Sequence, residues 1–170
     1  MALQVNNILI RPMQPSDWKK VAAIYGEGIA TGFATFEKDI PGYARWDENH
    51  LRECRLVAEK DNVISGWAAL SPVSDRCVYG GVAEVSIYVS TASRGMGIGK
   101  LLMEALIDQS EEQGLWTLQS GIFPENTGSI KLHEQVGFRR IGIRERVGKL
   151  DGVWKDNVIF ERRSLNVGID

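Results

Sequence analysis

Hydrophobic residues recur along the chain at two spacings, one typical of strands and one typical of helices. Residues 83–89 give the clearest strand, because aliphatic side chains alternate there with side chains of other types. Residues 97–113 give a helix, with Leu101, Leu102, Ala105 and Leu106 on one face. The same criteria, with turn and capping signals, predict strands at 8–13, 55–59, 63–70, 83–89, 115–123, 138–147 and 156–162, and helices at 18–27, 41–54, 97–113 and 126–137.

The order of these elements indicates the fold class. Strands dominate the first half of the chain, whereas strand–helix–strand crossovers follow residue 83. We therefore expect a mixed α/β fold whose central twisted sheet has about six to seven strands, with its parallel part beginning near residue 83. No internal repeat or Pro/Gly/Ser-rich linker divides the sequence. A single domain over residues 1–170 is predicted, with its core at about 8–163 and a short tail at 164–170.

The amino-acid composition excludes several classes of binding partner and site. The net charge of -2, from 20 Lys and Arg against 22 Asp and Glu, is too balanced to recruit nucleic acid or an anionic membrane surface. The longest run without a charged residue, 62–74, is too short to span a bilayer. Residues 1–7 do not resemble a signal peptide, so we expect a cytoplasmic protein. Two cysteines and two histidines supply neither a disulfide framework nor a structural metal site.

A glycine cluster, RGMGIGK at residues 94–100, lies between a predicted strand and a predicted helix. Glycines let the backbone approach a ligand closely, and the first amides of a helix attract anions, so the cluster favours a phosphate site. A P-loop is excluded, because Arg94 stands where it needs glycine and Leu101 where it needs Ser or Thr. The dinucleotide fingerprint fails too, since the third glycine comes one residue early. A turn that merely needs flexible residues is the remaining alternative.

The pattern Arg-x-x-Gly-x-Gly, formed by Arg94, Gly97 and Gly99, resembles the pyrophosphate loop of the Gcn5-related N-acetyltransferases (GNAT), which bind coenzyme A. From residue 10 to residue 161 the chain resembles the phosphinothricin and methionine sulfoximine acetyltransferases of that family. The segments that carry the resemblance are ATFE at 34–37, EVSIYV at 84–89, NTGS at 126–129 and LHE at 132–134. The resemblance implies a sheet with helices on both faces, splayed at the acetyl-CoA site, no metal, and a homodimer.

The resemblance also implies which residues bind acetyl-CoA. The amides of the loop would hold the pyrophosphate, and the strand before the loop would pair its backbone with the pantetheine arm. The Val89 N–H is the candidate donor to the thioester oxygen. Asn126 could contact the pantetheine or the base, although capping its helix is a sufficient role. The residues expected to bind the cofactor are Ile87, Tyr88, Val89, Arg94, Gly95, Met96, Gly97, Ile98, Gly99, Lys100, Asn126 and Ser129.

Glu84 is the candidate general base. The alternation of its strand places Glu84, Ser86 and Tyr88 together on the face opposite the aliphatic residues. A carboxylate there is either a solvated side chain of an edge strand or a base whose pKa is raised by partial burial. The resemblance favours the base, acting directly or through water. His133 lies where many family members have a tyrosine, and it is either the acid that protonates the leaving thiolate or a packed or cofactor-contacting side chain.

The resemblance implies a zwitterionic glutamate or methionine analogue as acceptor, of the phosphinothricin, methionine sulfoximine or arsinothricin type. Arg76, in the loop before the Glu84 strand, is the candidate for binding its carboxylate, because arginine can do so bidentately. Phe33, Phe36 and Ser86 are expected to line the same pocket. Lys155 departs from the family pattern, which has histidine at this position, and this departure puts phosphinothricin itself in question.

Two other functions stay open. A protein or peptide N-acetyltransferase would need an open acceptor groove, and the phenylalanine-rich loop together with Arg76 favours an enclosed pocket instead. A non-catalytic acetyl-CoA-binding module would keep the glycine loop and lose the base, which the presence of Glu84 opposes. The small-molecule N-acetyltransferase is therefore the preferred hypothesis.

Overall fold

The computed structural model describes residues 2–170, which form one eight-stranded sheet and four α-helices. The order of the strands across the sheet is β1-β2-β3-β4-β5-β6-β8-β7. The predicted mixed α/β fold is confirmed, with one strand more than the upper end of the predicted number. The strands are β1 (Leu3–Val5), β2 (Ile8–Pro12), β3 (Arg55–Lys60), β4 (Val63–Pro72), β5 (Val82–Val89), β6 (Thr117–Ile122), β7 (Arg139–Leu150) and β8 (Val153–Arg163), and the helices are α1 (Trp18–Ala30), α2 (Tyr43–Asn49), α3 (Ile98–Glu112) and α4 (Thr127–Gln135).

Strands β5 and β6 are parallel, and helix α3 makes the crossover between them. Val82–Glu84 pairs with Thr117–Gln119, which agrees with the parallel part predicted near residue 83. Beyond Glu84 the two strands diverge, and β5 continues to Val89 with no strand paired on that side among the described residues. The other strand pairs in residues 2–170 are antiparallel. The sheet is therefore open at its centre, where a ligand can reach the edge of β5.

Helices cover both faces of the sheet, as expected. On one face, Leu102 and Leu106 of α3 are buried against strand residues that include Leu118. On the other face, α1 and α2 pack around Trp46 and Trp67, whose rings meet edge to face with centroids 5.7 Å apart. Full burial of a leucine such as Leu102 or Leu106 contributes roughly 1.5–3 kcal/mol, so packing on both faces holds the central strands in position.

Two tight hairpins extend the sheet beyond the predicted strands. Asn6 and Asn7 have φ of 46° and 63°, and the turn that they form adds the unpredicted strand β1. Asp151 and Gly152 have φ of 48° and 81°, so β7 and β8 meet at this turn instead of ending at 147 and starting at 156. Residues 145–147 form a bulge opposite Asp156. The bulge interrupts the alternation of side chains in β7, so the hydrophobic pattern does not show that the strand continues.

Helix α2 is shorter than predicted, because it ends at Asn49 and not near residue 54. The guanidinium of Arg55 donates hydrogen bonds to the carbonyl oxygens of Asp47, His50 and Leu51 at 2.7–2.9 Å. These carbonyls lie at the end of the helix and just after it, where intrahelical donors are missing. The Arg55 side chain, from the next strand, therefore donates to the free carbonyl oxygens of a segment that the sequence pattern assigned to the helix.

Helix α4 begins and ends where the capping signals predict. The Asn126 Oδ1 accepts the N–H of Ser129 at 3.2 Å. At the other end Gly137 has a φ of 89°, and the N–H of Phe138 donates to the carbonyl oxygen of His133 at 3.0 Å. Both ends of α4 are therefore defined by hydrogen bonds, and His133 lies in the last turn of the helix that they define.

Candidate active site

The glycine loop has the geometry of an anion site at the start of α3. Gly95 and Gly97 have left-handed φ values of 76° and 79°, and Gly97 is the N-cap of this 15-residue helix. The first amides of α3 lack intrahelical acceptors and lie at the positive end of the helix dipole. Glu27 of α1 anchors the segment before the loop, because its carboxylate accepts the N–H of Thr91 at 2.6 Å. This hydrogen bond lowers the pKa of Glu27, with smaller effects from nearby hydroxyls and from Arg94.

A cavity of about 490 Å³, here called the loop cavity, lies between the glycine loop, the free edge of β5 and the start of α4. It runs along unpaired strand backbone, whose polar groups are available to an extended ligand. Met96 alone of the expected cofactor residues does not line it, and its Sδ lies 3.0 Å from Lys60 Nζ. The expected residues that line the loop cavity are Ile87, Tyr88, Val89, Arg94, Gly95, Gly97, Ile98, Gly99, Lys100, Asn126 and Ser129.

A second cavity of about 400 Å³, here called the sheet cavity, opens on the face of the sheet that carries Glu84. Ile87, Tyr88 and Asn126 line both cavities, so the two meet where β5 and β6 diverge. Phe33 lines the loop cavity and not the sheet cavity, where it was expected. The predicted catalytic and acceptor residues that line the sheet cavity are Glu84, Ser86, Phe36 and His133.

Glu84 stands opposite Gln119 in the last residue pair before β5 and β6 diverge. Its side chain is exposed, and the Gln119 Nε2 lies 3.5 Å from one of its carboxylate oxygens. The predicted faces of β5 are confirmed, since Val85 is buried on the α3 side and Tyr88 stacks on Trp67 on the α1 side, with ring centroids 4.9 Å apart. The Glu84 carboxylate thus lies in the wall of the sheet cavity with one weak hydrogen-bond contact.

Two tyrosines, the buried Tyr25 and the partly buried Tyr88, form a pair in the wall of the sheet cavity, with ring centroids 4.8 Å apart. Burial raises the pKa of both phenols, and the nearby Thr35 hydroxyl only partly offsets this. Both hydroxyl groups therefore stay protonated at neutral pH and are hydrogen-bond donors.

His133 is a buried side chain of α4, with 1% of its surface exposed. Its Nδ1 lies 2.7 Å from the carbonyl oxygen of Ser129, which can only accept, so Nδ1 carries the proton. Its ring packs edge to face on Phe138 and against Phe160. Burial lowers the pKa of His133, and the Ser129 hydrogen bond opposes this only partly. The imidazole is therefore neutral, with an unprotonated Nε2 that has no partner among the described residues.

Arg76 is not brought to the sheet cavity. It lies on the exposed loop between β4 and β5, with its guanidinium 5.5 Å from the centroid of the Tyr79 ring. Lys155 also lies outside the residues that line this cavity, and its Nζ pairs with Glu125 at 3.0 Å. Two arginines that the sequence did not single out line it instead, Arg45 from α2 and Arg144 from β7. Neither was a candidate from the sequence, because only tertiary packing places them at the cavity.

Within residues 2–170 no cluster of three His, Cys, Asp or Glu side chains is arranged to hold a metal ion. No helix of this part of the chain is long and apolar enough to cross a membrane.

Known proteins share both the sequence and the fold. A family model described as acetyltransferase (GNAT) family matches residues 21–138. The chain is 31% identical to the phosphinothricin N-acetyltransferase of Alcaligenes faecalis, over 94% of this chain and 83% of the relative. It is 28% identical to the L-methionine sulfoximine/L-methionine sulfone acetyltransferase of Pseudomonas aeruginosa, over 86% and 89%. The crystal structure of a GNAT superfamily phosphinothricin acetyltransferase from Sinorhizobium meliloti in complex with AcCoA matches with a TM-score of 0.85 at 26% identity, over 96% and 92%.

The geometry fits the cofactor that these matches indicate. Left-handed glycines at a helix start suit a pyrophosphate, and the free edge of β5 suits an extended amide-containing arm. The predicted family resemblance is confirmed by the family model and by the relatives. The chain belongs to the acetyltransferase (GNAT) family and is an acetyl-CoA-dependent N-acetyltransferase.

Proposed function

We propose that the protein acetylates the amino group of a small amino-acid-like acceptor of the phosphinothricin, methionine sulfoximine or arsinothricin type. The observation that carries the proposal is the sheet cavity, which meets the loop cavity where β5 and β6 diverge and has Glu84 in its wall. A thioester held along β5 would end at this boundary, and an amine in the sheet cavity would meet it there. The names of two relatives matched over most of their length support the same acceptor class.

Glu84 acts as the general base in this proposal, directly or through a water molecule. An ammonium group must lose a proton before its nitrogen can attack a carbonyl carbon. The Glu84 carboxylate takes that proton, the N–C bond forms, the C–S bond breaks, and its electron pair leaves with the thiolate. The nitrogen then loses its second proton, which the departing thiolate takes up through solvent, so that the products are the neutral amide and the thiol. The side chain is exposed and not partly buried as the base hypothesis expected, so the support for this role is its place in the wall of the sheet cavity, where β5 and β6 diverge.

The Val89 N–H is the proposed donor to the thioester oxygen. Val89 is the last residue of β5, on the stretch that has lost its β6 neighbour, and it lines the loop cavity. Negative charge grows on the thioester oxygen during attack, and a fixed backbone dipole there lowers the barrier. Ile87 and Tyr88 would hold the pantetheine arm on the same edge, while the amides of residues 95–100, with Arg94 and Lys100, would bind the phosphates.

For His133 the contacts favour packing over the general-acid role that the sequence left open. A neutral imidazole whose N–H is given to the Ser129 carbonyl has no proton to donate at Nε2. Asn126 and Ser129, which line both cavities, are proposed to contact the pantetheine in addition to their part in the helix cap.

Phe36 and Ser86 are the proposed apolar and polar contacts of the acceptor. Phe36 packs edge to face on Phe123, with centroids 4.6 Å apart, and so closes one side of the sheet cavity. Phe33 would contact the cofactor arm, since it lines the loop cavity. The acceptor carboxylate would pair with Arg45, which already lines the sheet cavity, or with Arg76 if its loop turns the guanidinium away from Tyr79.

A homodimer is part of the proposal. Strand β7 is an edge strand of 12 residues, and long edges are normally covered or protected. Ile141, Ile143, Val147 and Trp154 of the β7–β8 hairpin are 45–54% exposed, which is the kind of surface that a second copy would bury. A cytoplasmic location, expected from the sequence, belongs to the same proposal.

The test is acetyl-CoA-dependent thiol release with a panel of acceptors. The panel holds L-phosphinothricin, L-methionine sulfoximine, L-methionine sulfone, L-arsinothricin, the free amino acids and a few N-terminal peptides. Turnover on one or more of the glutamate or methionine analogues supports the proposal. Turnover on peptides alone would favour a protein N-acetyltransferase, and cofactor binding without any turnover would favour a non-catalytic module.

A further inference from the structure

Side chains on the floor of the sheet cavity lie in rows that the strand register fixes. Residues that pair directly across a sheet point to the same face, and residues two apart along a strand do so too. The middle row holds two glycines, and the Asn157 side chain of the third row lies over one of them, since a Cβ on Gly121 would lie 2.5 Å from the Asn157 Nδ2. The first row is Glu84, Gln119, Glu161 and Arg139, the second is Gly121, Ile159 and Gly142, and the third includes Asn157 and Arg144.

A bulge at Ile141 places Arg144 in its row. Arg140 pairs with Phe160 and Gly142 with Ile159, so Ile141 is an extra residue in β7. A shift of one residue moves every later side chain of a strand to the other face of the sheet. With a regular strand, the residue beside Asn157 would be Ile143 and Arg144 would point away. The bulge thus exchanges an aliphatic side chain for a cationic one at the wall of the sheet cavity.

Arg144 carries a positive charge that the protein does not neutralise. The Arg144 guanidinium forms no ion pair with any carboxylate of residues 2–170, whereas Arg139 on the same face of β7 pairs with Glu161. Its cross-strand partner Asn157 is uncharged and also lines the cavity. An arginine without a carboxylate partner in the cavity wall favours an anionic ligand group there.

Glu84 and Arg144 lie far apart on the same face of the sheet. Three strand spacings of about 4.8 Å and four residues of about 3.3 Å separate their Cα atoms, which gives roughly 20 Å. Both side chains rise from this face and line the sheet cavity, so the cavity spans the distance between them. An acceptor whose amine lies at Glu84 would therefore extend along the cavity toward Arg144.

We propose that Arg144 binds a negatively charged side-chain group of the acceptor, a phosphinate, an arsinate or a carboxylate. The enzyme therefore prefers acceptors with an anionic side chain to those with a neutral sulfoximine or sulfone. This inference rests on the proposed function of the sheet cavity and names the residue that decides which of its acceptor types is used.

The test compares kcat/KM for L-phosphinothricin with that for L-methionine sulfone, whose side chain is neutral. Arg144→Gln removes the charge, Arg144→Lys keeps it without the bidentate geometry, and Arg140→Gln is the matched control, since Arg140 is the neighbouring arginine on the opposite face. The wild-type enzyme is expected to prefer phosphinothricin. Arg144→Gln is expected to lower kcat/KM for phosphinothricin by about 10- to 100-fold and for the sulfone by less than about threefold. Arg144→Lys should fall between, and Arg140→Gln should change neither value.

Each contrary result has a separate meaning. Equal losses on both acceptors in Arg144→Gln, or the same selective loss in Arg140→Gln, would overturn the role of Arg144. A wild-type enzyme that acetylates methionine sulfone but not phosphinothricin would overturn this inference and leave the proposed function standing. A wild-type enzyme that acetylates none of the small amines would overturn both.

Discussion

Tyr88 packs directly on Gly28, so closely that a Cβ on Gly28 would lie 2.6 Å from the Tyr88 Cδ1. Gly28 belongs to α1 and lines the loop cavity, whereas Tyr88 lines both cavities. The ring cannot retreat, because it is stacked on Trp67 and lies 4.8 Å from the ring of Tyr25. The missing side chain at position 28 therefore lets α1 approach β5 and holds the Tyr88 ring at the boundary between the cavities.

Gly28→Ala is expected to disturb both stability and function. The added methyl group overpacks a site with no room to relax, which typically costs about 1–3 kcal/mol of unfolding free energy. A displaced Tyr88 would raise KM for acetyl-CoA and for the acceptor together. Gly26→Ala in the same helix is the control, because its Cβ would meet only the end of the flexible Ile40 side chain. Urea unfolding and initial-rate kinetics measure both effects, and equal behaviour of the two variants would contradict the packing argument.

Glu84→Gln is expected to reduce kcat by about 10²-fold or more while the Kd for acetyl-CoA changes by less than about twofold. The amide keeps the size of the side chain and its contact with Gln119 but cannot take a proton. The defect should shrink as pH rises, because more of the acceptor amine is then already neutral in solution. Steady-state rates between pH 6 and 9.5, with calorimetry for the cofactor, provide the measurement.

Glu112→Gln, at the exposed end of α3, is the matched control for Glu84→Gln and should behave as the wild type. An unchanged kcat in Glu84→Gln would remove Glu84 as the base and leave it as a solvated residue of the strand.

His133→Gln is expected to change the acid stability of the protein more than its turnover. Burial lowers the pKa of His133 in the folded state, so the unfolded chain binds a proton that the folded one does not. Stability is therefore retained above the unfolded pKa of about 6.5 and is lost as pH falls below it, by at most about 1.4 kcal/mol per pH unit for each such histidine. Burial lowers the pKa of His50 as well, so the variant should remove only part of this loss.

Urea unfolding at pH 5, 6 and 7 measures the pH dependence of His133→Gln, and kcat at pH 7.5 should stay within about threefold of the wild type. His50→Gln is the comparison, because it should also flatten the acid loss. A fall in kcat of about 10²-fold would instead support the general-acid role.

Local sequence signals predicted the parts of the site that depend on neighbouring residues. The alternation of β5 placed Glu84 on the correct face, and the spacing of glycines placed the loop at the start of α3. The Asn126 cap and the Gly137 stop were likewise visible, because helix ends are determined within a few residues.

The parts that depend on pairing between distant segments could not be predicted. The sequence around Ile141 contains no signal for a bulge, because the extra residue is defined only by the pairing of β7 with β8. The sequence therefore could not predict on which face of β7 Arg144 lies. It also could not predict that α2 ends at Asn49, because this end depends on hydrogen bonds from Arg55. The loop with Arg76 was expected at the acceptor for its place in the sequence, but its guanidinium lies against Tyr79, three residues further along the same loop, and does not line the sheet cavity.

Asp156→Ala is expected to weaken the preference for anionic acceptors without removing Arg144. The Asp156 Oδ1 accepts the N–H of Arg146 at 2.8 Å, and Arg146 has a left-handed φ of 47° in the bulge that directly follows Arg144. Loss of this hydrogen bond should reduce the unfolding free energy by about 1 kcal/mol and let the bulge shift. The ratio of kcat/KM for phosphinothricin to that for methionine sulfone should then fall several-fold.

Adding Arg146→Gly to Asp156→Ala should restore part of the stability, because glycine adopts a left-handed φ at no steric cost. Asp108→Ala on the exposed face of α3 is the control and should leave both quantities unchanged. If Asp156→Ala keeps the wild-type acceptor ratio, strand pairing alone holds Arg144 in place, since Asn157 on β8 would still fix its row. A kcat/KM ratio that falls in Asp156→Ala and stays low when Arg146→Gly is added would have a different meaning. That result would show that the Asp156 carboxylate determines the backbone path of the bulge and does not merely offset the strain at residue 146.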